Sequence, residues 1–109
     1  MPIANCFFAS ARENPDADTI VMAWSNHSGI DPGEMTVNVV HTHQGGKRYA
    51  VMAWLYLPSL WSEDEVAALS EGLSAALADV SHVPPSGVQV LTSIVTSGSV
   101  VEAGKTLHW

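Results

Sequence analysis

Proline occupies position 2, directly ahead of an apolar run from Ile3 to Phe8. Removal of Met1 would turn Pro2 into a secondary amine at the mouth of a strand. There, desolvation and nearby cations lower an amine's pKa and a carboxylate raises it, so the group can work as base or, as ammonium, as acid. With Met1 in place the same nitrogen is an amide and has no basic lone pair. Glu102 stands alone among small and apolar residues in Val100-Val101-Glu102-Ala103-Gly104. A carboxylate partly withdrawn from water can act as general base toward a water molecule, whereas a fully solvated tail carboxylate would only add charge. His27 falls near the end of an amphipathic stretch, where a helix dipole favours its charged form and lets it donate to an oxyanion. His41 and His43 have the i, i+2 spacing of a two-residue metal pair, but no acid or cysteine stands near them in sequence, and no metal is expected. Arg12, Lys47, Arg48 and Lys105 are the whole cationic supply. Of these, Arg12 follows the first apolar run directly and has the fork geometry to hold a carboxylate. Trp54, Tyr56 and Trp61 gather around a later apolar stretch, as a pocket lining or a subunit contact would.

The elements that must position these groups follow from periodicity. Ile3 to Phe8 reads as a strand. ADTIVMAWSNHSG, with acids in front and Gly29 behind, reads as a short helix from about Asp16. Asp31-Pro32-Gly33 marks a turn, and Met35, Val37 and Val39 then alternate with Thr36 and Asn38 as a half-buried strand does. Tyr49 to Leu57 is a third strand, stopped at Pro58, and Gln44-Gly45-Gly46-Lys47 suits a turn that would pair strands two and three as a hairpin. Ser62 with Glu65 forms a capping box, and Val66, Leu69, Leu73, Leu77 and Val80 recur at helical spacing behind it. Val88 to Val95 is a fourth strand, and Ser97 to Trp109 a polar tail with its own turn.

The resulting β-α-β-β-α-β order divides into two similar units, about 1–46 and 47–109, within one domain. DPGEMTVNVV in the first echoes PPSGVQVLTS in the second. The fold class is α+β: tandem β-α-β units forming a four-stranded sheet with two helices on one face. The other face would lie open in a monomer, and closed rotational symmetry is the usual way such a face is covered.

Composition narrows the function classes. A chain of 109 residues with 47% hydrophobic side chains makes one small domain. Eleven acidic against four basic residues, a net charge of -7, disfavour a phosphate-tracking surface, so nucleic acid is not an expected partner. Apolar runs such as Ala50 to Leu57 are too short for a membrane helix, the N-terminus has no signal-peptide pattern, and the chain reads as a soluble, cytoplasmic protein. The single cysteine, Cys6, excludes an internal disulfide.

Met-Pro-Ile-Ala at the start, the two β-α-β units and a V-x-V after a proline turn in each resemble the tautomerase superfamily, and the resemblance spans nearly the whole chain. The doubled unit is similar to the macrophage migration inhibitory factor and cis-3-chloroacrylic acid dehalogenase types. VNVVHTHQGG, NHSGI and VEAGK resemble segments of the dehalogenase group. The resemblance implies a homotrimer without cofactor in which Pro2 moves a proton, Glu102 activates water and His27 helps hold the substrate. Positions carried over for substrate contact are Arg12, which matches one substrate arginine of the half-length tautomerases, Asn38 and Gln89 at the V-x-V arginine position, Trp61 near a carboxylate-binding arginine, and Leu91 near the tyrosine that assists the glutamate. Several of these are departures, since arginines become Asn38, Gln89 and the neighbourhood of Pro58 and Trp61, and the tyrosine becomes Leu91.

The expected activity is that of a tautomerase or isomerase. Pro2 would serve as acid or base in keto–enol isomerisation, or in hydration, of a small carbonyl compound or unsaturated acid. The alternatives are hydrolytic dehalogenation of a 3-haloacrylate-like substrate and an inactive trimeric binding module that keeps Met1.

Overall fold

Alternation of small or apolar side chains builds the first strand, β1 (Ile3–Ala9), which buries Ala4, Cys6 and Phe8 and leaves Ile3, Asn5 and Phe7 half-buried on the opposite face. The computed structural model describes residues 1–9 and 15–109. Helix α1 (Ala17–Ser28) buries Ile20 and Trp24, and it stops at Gly29, whose φ of 76° and amide bond to the Ser25 carbonyl at 2.8 Å close the last turn. A 3-10 turn, Pro32–Glu34, is held by the Asp31 carboxylate, which accepts from the Gly33 amide at 2.9 Å and leads into β2 (Thr36–Thr42). β3 (Val51–Pro58) is buried at every second residue. Helix α2 (Glu63–Ser81) carries the capping box as expected: the Ser62 hydroxyl accepts from the Glu65 amide at 3.2 Å and the Glu65 carboxylate from the Ser62 amide at 3.0 Å. A second 3-10 turn, Pro85–Gly87, precedes β4 (Val88–Val95).

The sheet runs β2-β1-β3-β4, with β1 parallel to β2, antiparallel to β3, and β3 parallel to β4. This corrects the expected hairpin of strands two and three, because β1 lies between them. A β-α-β crossover sets its two strands parallel and side by side, so β1 already occupies the inner flank of β2. The Gly-rich link from β2 to β3 instead crosses the sheet end. Its closure comes from the Gln44 side chain, which accepts from the Tyr49 amide at 2.8 Å and donates to the Tyr49 carbonyl at 3.1 Å. The polar tail folds as a hairpin of β5 (Val100–Glu102) and β6 (Lys105–Leu107), turning at Ala103 and Gly104 with φ of 51° and 76°.

Both helices pack on the face bearing Ala4, Cys6, Ala53 and Leu55, forming one core with Ile20, Trp24, Leu69, Leu73 and Leu77. Trp24 ties the helices together by donating its indole N–H to the Leu69 carbonyl at 2.9 Å. Pairing register puts Asn38 and Val40, Asn5 and Phe7, Met52 and Trp54, and Gln89 and Leu91 together on the opposite face. None of the described residues covers it: Trp54 is 45% and Leu91 50% exposed, and the Phe7 and Trp54 rings lie 4.7 Å apart.

Candidate functional site

The chain start is fixed by the sheet. The Pro2 carbonyl accepts from the Thr36 amide at 3.0 Å, which extends the β1–β2 ladder one step and leaves Pro2 fully buried and Met1 half-buried. Beside it, the turn before β2 presents Glu34. On the other flank β3 ends at Pro58, and the link to α2 brings up Leu60 and Trp61. The C-terminal hairpin is pinned over this end. The Trp109 amide donates to the Ser97 hydroxyl at 2.8 Å, and its indole N–H donates to the Ser59 hydroxyl at 2.9 Å. Glu102 is the last residue of β5, opposite Lys105.

These pieces enclose a cavity of about 350 Å³ in which Met1 and Glu34 meet Pro58, Leu60 and Trp61 on one flank and Glu102, Leu107 and Trp109 on the other. Its walls are mainly apolar and aromatic, and among the described residues its charged side chains are those of Glu34 and Glu102. A second cavity of about 370 Å³ lies between the β3–α2 link, the first turns of α2 and Ile94 of β4. Trp61 lines both. Its indole N–H is buried without a hydrogen-bond partner among the described residues, a cost of about 1–3 kcal/mol for a donor withdrawn from water.

Of the positions singled out in sequence, the cavity collects Glu102 and Trp61 directly and Pro2 through its neighbour Met1. His27 ends α1 as expected, but its Nε2 lies 2.7 Å from Asp79 Oδ2 on the helix surface and the residue lines neither cavity. Asn38 sits on the open sheet face and donates to Asn5 Oδ1 at 2.8 Å. Gln89, on the same face, donates to the Tyr49 hydroxyl at 3.3 Å, and Leu91 stands beside them, half-exposed. Arg12 falls outside the described residues. His41 and His43 are exposed, and among the described residues no group of three or more His, Cys, Asp or Glu side chains is arranged to hold a metal. Sequence reasoning missed Glu34, Leu60, Leu107 and Trp109. A bulky aromatic ending an otherwise polar tail was the one signal that could have drawn attention to Trp109.

No protein-family model and no curated protein sequence matches the chain. Solved structures do. An asymmetric trimer of wild-type fused 4-OT is similar at a TM-score of 0.77 and 17% identity, over 95% of this chain and 94% of that one. A member of the cis-3-chloroacrylic acid dehalogenase family matches at 0.70 and 17%, over 96% and 82%. A macrophage migration inhibitory factor of Toxoplasma gondii matches at 0.63 and 15%, over 96% and 99%. Identities this low carry the fold, and the chain has the fold of the tautomerase superfamily, as its N-terminal motif and paired β-α-β units imply.

Proposed function

We propose that the chain is a proton-transferring enzyme of the tautomerase kind, working with Pro2 as a free amine once Met1 is removed. The observation that carries this reading is that Met1 and Glu102 line one cavity. Removing Met1 would free the nitrogen one peptide bond away and give it the space that Met1 fills, facing Glu102. As base, Pro2 takes the α-proton of a carbonyl compound and returns it to oxygen or carbon. As ammonium, it protonates one carbon of an activated double bond while Glu102 draws a proton from water attacking the other. Either path gains speed only where the site stabilises the developing charge more than the ground state. Trp61 and Trp109 supply flat apolar walls for the substrate. No step is assigned to His27, which is engaged by Asp79.

The working form in this reading is a homotrimer. Support comes from the uncovered apolar sheet face and from the trimeric assembly of the similar fused 4-OT. Asn38, Gln89 and Leu91 would then belong to the contact between subunits.

The test is the intact mass of protein made without an N-terminal tag, followed by ketonisation of an aryl enol substrate by wild type and by Glu102→Gln. A mass lighter by one methionine, with ketonisation by the wild type that Glu102→Gln keeps, is expected. One observation favours the second reading, a binding module: Met1 is half-buried inside the cavity, and Pro2 is fully buried behind it. A mass that includes Met1, with no ketonisation, would select that reading.

A further inference from the structure

Resting on the reading above, we propose that the cavity selects uncharged, flat apolar carbonyl compounds, such as aryl ketones and esters, and turns carboxylates away. The charged side chains lining it are Glu34 and Glu102, and no Lys, Arg or His side chain lines it among the described residues. Lys47, Arg48 and Lys105 do not line it. Lys105 pairs across the hairpin from Glu102 but is exposed and does not line the cavity, and Lys47 lies 5.2 Å from the centre of the Tyr49 ring. With Pro2 as the neutral base, a substrate carboxylate placed here would meet two like charges with no cation among the described lining side chains to offset them. At about 5 Å and an effective dielectric between protein surface and water, each such contact disfavours the anion by roughly tenfold. The remaining walls, Pro58, Leu60, Leu107 and the two indoles, match a flat apolar body. The volume of about 350 Å³ suits a single-ring compound.

Glu34 becomes a specificity residue in this account, because it adds negative charge on the side of the cavity where Met1 lies and has no step in the proton transfer. Glu102 supplies the second charge and the general base together. The Glu34 carboxylate acts on the substrate through its field, so its signature is a change in the preference between a charged and an uncharged form of one substrate.

The experiment uses full-length, Met1-free protein and compares kcat/KM for ketonisation of enol phenylpyruvate with that of its methyl ester, each corrected for the uncatalysed rate. The ester is expected to be at least tenfold better, and Glu34→Gln to narrow that ratio several-fold, chiefly through a lower KM for the acid. An acid used as well as or better than its ester overturns the proposal. Should Arg12→Ala then abolish turnover of the acid, Arg12 is the carboxylate anchor instead. If neither compound is turned over although Pro2 is free, the proton-transfer reading fails by itself. Titration of the tryptophan fluorescence with phenylpyruvate and its methyl ester then decides the ligand class. Tenfold tighter binding of the ester supports the proposal, and equal binding, tighter binding of the acid, or no binding of either overturns it.

Discussion

Cys6 is wholly buried in the β1 core, and burial pushes its thiol up from 9.0 to about 12. The unfolded chain releases this proton at its ordinary pKa while the folded chain holds it, so the unfolded state binds fewer protons and stability falls as pH rises between the two values. The contribution is intact below pH 9 and lost progressively toward 12. Urea denaturation at about pH 8 and about pH 10.5 should show a loss near 2 kcal/mol that is absent in Cys6→Ala, on the scale of 1.36 kcal/mol per pKa unit. An equal pH slope in both proteins would contradict it. At the same scale, Glu102 and the chain start were singled out in sequence because a lone carboxylate and a proline after Met1 stand among apolar neighbours, and the cavity collects Glu102 and Met1. Glu34 was not, because a glutamate closing a DPGE turn looks like a solvated turn residue until the fold sets it beside Met1. His27 shows the converse. Its place at a helix end was readable, while its partner Asp79 is 52 residues away and only the packing of the two helices brings them together.

The helices cross tightly at Gly72 in α2. A Cβ built there would stand 3.1 Å from the Ser28 amide nitrogen and 3.3 Å from the His27 carbonyl carbon, which are backbone atoms that cannot swing aside. Gly72→Ala gains about 1 kcal/mol of helix propensity but forces α1 off α2, for a net loss of about 1–3 kcal/mol expected from overpacking. A urea midpoint at or above the wild-type value would show that the crossing has slack. Ser62→Ala removes one half of the capping box and should cost about 1 kcal/mol, readable in the same measurement. The elements themselves were legible because their signals are local: an apolar run for β1, alternation for β2, the capping box for α2, and Gly29 for the end of α1. The pairing of β2 with β3 was misread, since a Gly-rich link says that the chain turns but not which strand it meets. The preference for a parallel crossover decided that instead.

At the scale of the molecule, one sheet face is covered by helices and the other presents Phe7, Val40, Trp54 and Leu91 to solvent in the single chain. Burying Trp54 and Leu91 between copies would remove apolar surface at roughly 25 cal/mol per Å². Trp54→Glu should therefore convert a trimer to monomers in sedimentation equilibrium, and an unchanged trimer mass would place the contact elsewhere. The open sheet face was readable from alternation along the strands, while the cavity was not, because Met1, Glu34, Trp61 and Trp109 come from four separate segments. The proposed proton transfer rests on the amine of Pro2. The decisive measurement is kcat/KM for ketonisation of the methyl ester of enol phenylpyruvate by Met1-free wild type and by Met1-free Pro2→Ala. Loss of about 100-fold or more, the usual contribution of a positioned acid or base, is the expected result. Rates that agree within about twofold, a difference of less than 0.5 kcal/mol in the barrier, would contradict it.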